Sequence, residues 1–288
     1  MGDSSVRVLA GYDGSLAAGT AIDIGARMLP AAAVWVTHVW TPPLASEPLR
    51  RRLWRGTAHV DEFVAAVERE GRREADRIAG MGVTLAQAAG WVAEPLVART
   101  YGGEGFELTD LARRHDADVI VVGARGLSGA HAVLGSVSDM VVHYATQPVL
   151  VSPYPLLAAE YAALPAGPAL VGWDASNGAA AALEAAMRLM PGRQVVPVSV
   201  DIDVDPPAGQ FREPPSPVVR VRSRHEGSAP AIADALAAAA REREAAVLVL
   251  GSRGRSAVRE IILGSVAMST LHRAHHLTMI VPHAEAQA

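Results

Sequence analysis

Short apolar runs alternate along the chain with longer amphipathic segments. Val6–Ala10 and Val119–Val122 are largely apolar and end near Gly or Asp, which is typical of strands buried on both faces. Between such runs, apolar residues recur at helical spacing, as in the segment that begins after Ser15 and ends before Pro30. Strands separated by helices predict an α/β fold in which helices cover both faces of a parallel sheet.

The first half of the chain contains five predicted strands, with a helix expected between each successive pair. The strands are Val6–Ala10, Ala33–Trp40, Trp91–Thr100, Val119–Val122 and Val149–Val151. The helices follow Ser15 and then occupy His59–Ala89, Phe106–His115 and Ser136–Tyr144.

The same plan occurs a second time. V-R-V-L-A-G-Y-D-G-S near the N-terminus matches P-A-L-V-G-W-D-A-S further on, which places Asp13 and Asp174 161 residues apart. A-D-V-I-V-V-G-A-R-G ends at Gly126 and A-V-L-V-L-G-S-R-G ends at Gly254, an offset of 128. The drop from 161 to 128 makes the second copy 33 residues shorter in its middle. The sequence therefore predicts an internal duplication.

The duplication sets the expected domain boundaries. We predict two tandem doubly wound domains, each with a five-stranded parallel sheet, at 1–153 and 168–288, joined by a linker at 154–167. The proline-rich segment Asp201–Pro217 replaces the long helix of the first copy and is expected to be a surface loop.

Composition narrows the chemistry. All 26 basic side chains are arginine and cysteine is absent. Schiff-base lysines, a phosphate-loop lysine, thiolate nucleophiles and cysteine metal clusters are therefore excluded, which leaves arginine or backbone N–H groups to bind anions. The net charge of −4 argues against nucleic acid or a membrane surface as a partner. Because the chain has no 18-residue uncharged apolar run and no signal pattern, the expected location is the cytoplasm.

A glycine-rich pattern follows the fourth strand of the second copy. Gly251-Ser252-Arg253-Gly254 is separated by nine residues from Gly264-Ser265, where a helix is expected to begin. Glycines allow positive φ and close backbone approach, so that successive N–H groups can face a phosphate chain. A helix N-terminus adds N–H donors and a favourable dipole. The pattern therefore predicts a phosphate site at the carboxyl ends of the strands.

The D-G-S turn after the first strand, together with G-x-x-G, nine residues and G-S, resembles the universal stress protein family. The resemblance covers nearly the whole chain, in the layout of a tandem protein with two such domains. It implies an adenine-nucleotide-binding α/β fold with strand order 3-2-1-4-5. It also implies a stress-response regulator, not an enzyme, that binds ATP or a related adenine nucleotide, with Mg²⁺ accompanying the phosphates.

The resemblance further implies which residues line the two sites. In the second copy these are Asp174 and Val200 near the nucleoside, and Gly251, Ser252, Arg253, Gly254, Gly264, Ser265 and Val266 near the phosphates. In the first copy the matching residues are Asp13, Val39, Gly123, Arg125, Gly126, Gly135, Ser136 and Val137.

Each copy departs from the family pattern at one point. Eight residues instead of nine separate Gly126 from Gly135, and one missing residue displaces the cradle's N–H groups by up to about 3 Å. In the second copy, Ala175 replaces the glycine of the D-G-S turn. The second copy therefore carries the better-spaced phosphate motif.

Two other clusters are interpreted as surface features. His272, His275 and His276 lie near a helix end without a neighbouring carboxylate in sequence, which favours a solvated helix terminus over a metal site. Arg50–Arg52 with Arg55 form the densest basic run, which favours a solvated surface loop over a phosphate-gripping lid or a nucleic-acid contact.

Two alternative functions remain open. One is an interaction module whose glycine loops no longer bind nucleotide, and the other is an ATP-using enzyme similar to ligases or transferases. The last strands of the two copies, Val149–Val151 and Met279–Val281, are expected to pair within one chain as a pseudo-dimer, and a homodimer of the whole chain is a further possibility.

Overall fold

The computed structural model describes residues 5–42, 59–124, 134–203, 205, 216–224, 227–254, 263–273 and 275–283. The strands in these residues are β1 Arg7–Gly11, β2 Ala33–Trp40, β3 Val92–Arg99, β4 Val119–Gly123, β5 Val149–Ser152, β6 Ala169–Gly172, β7 Val195–Val200, β8 Val219–Val221, β9 Val247–Gly251 and β10 Thr278–Val281. The helices are α1 Leu16–Met28, α2 Val60–Ala88, α3 Glu104–Arg114, α4 Ser136–Tyr144, α5 Ala158–Ala163, α6 Asn177–Leu189, α7 Ala229–Glu242 and α8 Ser265–Arg273.

The strands form one continuous sheet in the order β3-β2-β1-β4-β5-β10-β9-β6-β7-β8. Each half has the predicted order 3-2-1-4-5, counted within that half, and its five strands are parallel. The halves meet where β5 pairs antiparallel with β10, with Leu150 opposite Met279. The predicted α/β fold is therefore confirmed. Backbone hydrogen bonds between β5 and β10 join the two five-stranded sheets into one.

Two apolar layers hold the helices against this sheet. Successive strand residues point to opposite faces, so Val8 and Ala10 lie in one layer and Leu9 in the other. α1, α2 and α6 cover the first face, whereas α3, α4, α7 and α8 cover the second. The continuous apolar character of the strands follows from this burial on both sides.

Serine caps fix the start of three helices. Ser15, Ser176 and Ser228 accept hydrogen bonds from the backbone N–H groups three residues later, at 3.1 to 3.3 Å. α2 is uninterrupted by its glycines and ends close to the predicted residue, at Ala88. No helix in the described part of the chain is long and apolar enough to cross a membrane.

The segment between the halves contains a short helix, α5, that contacts both of them. On one side the Tyr161 hydroxyl donates to Asp23 Oδ2 of α1 at 2.8 Å, and this hydrogen bond raises the pKa of Tyr161. On the other side the Glu160 carboxylate lies 3.4 Å from His276 Nδ1, with both side chains almost fully buried. The linker is thus a packed part of the fold.

The prediction of a solvated histidine cluster is wrong for His276. Its ring is 2% exposed and its Nε2 bonds to the carbonyl oxygen of Ala245 at 2.9 Å. The carboxylate partner, Glu160, is 116 residues away in sequence, so no local pattern contained it. Groups of three or more metal-binding side chains are absent from the described residues. The arginine run 50–52 and Arg55 lie outside those residues.

Candidate functional site

A cavity of about 310 Å³ lies at the carboxyl ends of the central strands of the second half. β6 and β9 are neighbours in the sheet, but α6 follows β6 on one face and α8 follows β9 on the other. Such a crevice between diverging connections is the usual ligand site of an open α/β sheet. Eight of the nine residues predicted for this site line the cavity: Asp174, Val200, Gly251, Arg253, Gly254, Gly264, Ser265 and Val266.

The Asp174 carboxylate is oriented by the turn that follows β6. Its Oδ1 accepts hydrogen bonds from the Ser176 backbone N–H at 3.0 Å and from the Ser176 hydroxyl at 2.5 Å. The turn requires positive φ between these residues, because Ala175 has φ +63° and the equivalent Gly14 has φ +84°. Alanine in this region costs about 1–2 kcal/mol. The second half therefore keeps the turn geometry of the D-G-S motif at an energetic cost.

Gly251 and Gly123 are required for space and not for positive φ. None of the five motif glycines that the structure describes has positive φ, so the role expected from backbone handedness is not the one found. At Gly251 an added Cβ would lie 2.5 Å from the carbonyl carbon and oxygen of Gly178 at the start of α6. At Gly123 it would lie 2.6 Å from the carbonyl oxygen of Ala17. These glycines let a strand end and a helix N-terminus touch backbone to backbone.

Gly254 and Gly264 stand at the rim of the cavity, where α8 begins. An added Cβ at Gly254 would lie 2.7 Å from Asp174 Oδ2, so the glycine loop that follows β9 and the carboxylate face each other directly. The Gly264 N–H donates to the Ser252 carbonyl at 2.6 Å, which leaves the N–H groups of Ser265 and Val266 as the first donors of the helix. The start of α8 therefore gives the cavity the partial positive charge of a helix N-terminus.

Two predicted residues have structural partners. Ser252 does not line the cavity; it is buried, and its N–H donates to the Val281 carbonyl at 2.8 Å. Arg253 lines the cavity, but its Nη2 donates to the carbonyl of His283 at 3.0 Å. Its buried Nε makes no hydrogen bond within the described residues. The arginine thus ties the loop to the segment after β10.

The first half has an equivalent but smaller cavity of about 140 Å³. Six of the residues predicted for this half line it: Asp13, Val39, Gly123, Gly135, Ser136 and Val137. Arg125 and Gly126 lie outside the described residues. Ligand cavities generally measure about 300–1,000 Å³, so the second cavity is within this range and the first is below it.

Side chains at two equivalent positions give the cavities different polarity and charge. Glu104 of α3 lines the first cavity, where its Oε1 accepts from the Thr41 hydroxyl at 3.0 Å; the position 128 residues later is Ile232. Ser138 of α4 bonds to the Gly123 carbonyl at 2.8 Å, whereas its equivalent is Ala267. The first cavity is therefore more acidic than the second.

Two further side chains of the first cavity were not predicted. His38 Nδ1 lies 2.8 Å from the Tyr12 carbonyl, and because a carbonyl only accepts, Nδ1 carries the proton. Burial, with a smaller contribution from the Asp13 carboxylate, raises the pKa of the Tyr12 phenol. Alignment of the copies at their offset of 161 would have identified both positions, with Trp173 and Ser199 in the second half.

Comparison with known proteins defines the class to which this fold and site belong. The model of the universal stress protein family matches residues 6–153 and 210–282. The chain therefore belongs to the universal stress protein family. A curated relative, universal stress protein Sll1388 of Synechocystis, is 45% identical over 51 residues, which is 17% of this chain and 33% of the relative. The match thus spans about a third of that relative.

Solved structures support the fold over the full length. A universal stress protein from Archaeoglobus fulgidus is similar with a TM-score of 0.67 at 20% identity, covering 98% of this chain and all of the other. A structure described as a universal stress protein from Pseudomonas aeruginosa is similar with a TM-score of 0.53 at 10% identity, covering 97% of this chain and 94% of the other. At these identities the likeness concerns the fold alone.

Proposed function

We propose that this protein binds ATP or a related adenine nucleotide in the cavity of its second half and acts as a stress-response regulator through that binding. The observation that carries the proposal is the meeting of three features in one cavity: the Asp174 turn, the glycine loop at Gly254 and the N-terminus of α8. The turn presents a carboxylate for the ribose, and the loop and the helix N-terminus lie where the phosphates would bind.

The lining residues fit the parts of a nucleotide in order. Asp174 faces the cavity as an acceptor for ribose hydroxyls. Val200, Ile202 and Leu236 provide an apolar wall for the base. Ser265 stands at the start of α8, where backbone N–H groups and the helix dipole favour phosphate oxygens. Mg²⁺ would accompany the phosphates and neutralise part of their charge.

We propose binding and not turnover as the main role. Asp174 is the one carboxylate among the described residues that line the cavity, and Ser176 already occupies its Oδ1 with two hydrogen bonds. A general base must be able to reach the proton that it removes. The proposal places the protein in the cytoplasm, where ATP is present, and treats its halves as a pseudo-dimer joined through β5 and β10.

The proposal also makes the two sites unequal. The first cavity is less than half the volume of the second, and Glu104 adds a negative charge where the second half has Ile232. Anionic phosphates are therefore expected to bind in the second half at concentrations that leave the first half empty.

A calorimetric titration with Mg-ATP tests this, using one substitution at equivalent positions. Ser265 and Ser136 are both exposed first residues of helices, where aspartate is favourable for the helix. Ser265→Asp is expected to weaken ATP binding at least about tenfold by charge repulsion, whereas Ser136→Asp leaves it unchanged. No heat and no thermal stabilisation with wild type would support the non-binding interaction module, and rapid phosphate release with a co-substrate would support the enzyme.

A further inference from the structure

A groove on the outer side of α7 gathers arginine side chains away from the nucleotide cavity. Arg222, Arg224, Arg241 and Arg273 line a volume of about 590 Å³. Asp234 is the only carboxylate among the described residues that line it. The groove thus carries a local charge of about +3 on a chain whose net charge is −4. No residue lines both this groove and the nucleotide cavity.

One of the four arginines is engaged within the groove. Arg273 donates from Nε to Asp234 Oδ1 at 3.1 Å and from Nη2 to Asp234 Oδ2 at 2.9 Å, and this fork lowers the pKa of the aspartate. Arg222, Arg224 and Arg241 form no ion pair with a carboxylate in the part of the chain that the structure describes. Three guanidinium groups therefore line the groove without a close carboxylate partner among these residues, and they share the longer-range charge of Asp234 and Asp201.

The equivalent surface of the first half shows that the fold does not need the ion pair between Asp234 and Arg273. Phe106 and Tyr144 occupy the positions of Asp234 and Arg273, at offsets of 128 and 129, and their rings lie 4.6 Å apart. The same two helices are thus joined by a ring contact in one half and by an ion pair in the other. Tyr101 occupies the position of Arg224 when the strands are matched by their pairing register.

Arg241 differs from its equivalent in the first half in lacking a close carboxylate partner among the described residues. Its equivalent, Arg113, is paired with Asp110 at 2.5 Å on the surface of α3. In the second half the position of Asp110 is Ala238, so the arginine is kept while its carboxylate is replaced. Guanidinium groups that lie close together repel one another. Solvation alone therefore gives no reason for Arg241 to lie beside other arginines, whereas a bound anion does.

We propose that this groove binds a small polyanion, that is, a molecule carrying several phosphate or carboxylate groups. Guanidinium forks bind both groups with paired hydrogen bonds. Small alanine side chains and one proline line the groove beside the arginines, so the guanidinium groups supply its specific contacts and its charge selects the ligand. α7 also contributes Ile232 and Leu236 to the nucleotide cavity, so one helix separates the two sites.

Calorimetric titration at low ionic strength tests the proposal, with sodium tripolyphosphate and citrate as separate probes. The double variant Arg224→Gln/Arg241→Gln is expected to weaken binding of the preferred probe about tenfold or more. Asp234→Asn is expected to strengthen it, because it removes the opposing charge and frees the Arg273 fork. Arg113→Gln, at the position equivalent to Arg241, is the matched control and is expected to leave affinity unchanged.

The probes separate phosphate from carboxylate as the ligand chemistry, and binding of either that is weakened by the double variant supports the site. Thermal denaturation of each variant checks that it is folded. The proposal is overturned if neither probe binds at millimolar concentration, or if the arginine substitutions leave affinity unchanged. It is also overturned if Ser265→Asp abolishes tripolyphosphate binding, since the probe then occupies the nucleotide cavity. ATP binding is measured on the same variants, so each proposal fails or stands separately.

Discussion

Alanine at Gly251 should mainly lower stability, whereas alanine at Gly254 should mainly weaken nucleotide binding, although the two glycines belong to one motif. At Gly251 the new Cβ would lie 2.5 Å from the carbonyl carbon and oxygen of Gly178 and 2.8 Å from its Cα. These are backbone atoms of α6, which cannot rotate away. Relief of the overlap requires α6 to move by about 1 Å, since ordinary carbon contacts begin near 3.5 Å.

The magnitude follows from that contact. Overpacking of this kind costs about 1–3 kcal/mol, which for a chain of this size corresponds to a fall in Tm of about 2–5 °C. At Gly254 the new Cβ would meet only a side chain, Asp174 Oδ2 at 2.7 Å. The carboxylate can turn aside, so the expected loss of stability is less than about 1 kcal/mol. Its displacement from the cavity is expected to weaken Mg-ATP binding about tenfold.

The assay is thermal denaturation followed by circular dichroism, with Mg-ATP calorimetry on the same preparations. Gly80→Ala is the control, because its added Cβ meets no atom within 4 Å and alanine is favoured in a helix, so Tm should stay or rise. A Gly251→Ala variant that melts like the wild type would contradict the backbone contact, as would a Gly254→Ala variant that lowers Tm as much as Gly251→Ala.

Three other predictions concern stability. Ala175→Gly should raise Tm slightly, because relief of about 1–2 kcal/mol at φ +63° exceeds the entropic cost of glycine, whereas Gly14→Ala should lower it. Glu160→Ala should cost about 1–3 kcal/mol in urea unfolding by leaving the buried Nδ1 of His276 without its carboxylate partner, and a loss below about 1 kcal/mol would contradict the pairing. Hydrogen bonds from residue 223 lower the pKa of Asp201 in the folded state, so its stabilisation is present above the unfolded pKa near 3.8 and is lost as pH falls through the lower folded value. Asp201→Asn should remove that part of the acid dependence in urea midpoints measured against pH.

Much of the architecture was available from local patterns. Strand and helix positions follow from apolar runs and caps, and the offsets of 161 and 128 predict the duplication, because residues that repeat a fold repeat its spacing. The same offsets bring Asp174 and Gly254 to adjacent strand ends, since carboxyl ends of parallel strands share one edge. Eight of nine expected residues line the second cavity for this reason.

Contacts between segments far apart in sequence could not be predicted from such local patterns. The pairing of His276 with Glu160, the backbone contact of Gly251 with Gly178 and the tie from Arg253 to residue 283 each join parts of the chain that folding alone brings together. The motif glycines illustrate the limit: sequence shows that a side chain is missing, but whether glycine provides positive φ or space depends on which backbone lies opposite. Local spacing specifies elements and their order, whereas packing between elements specifies which polar groups meet and how large each cavity becomes.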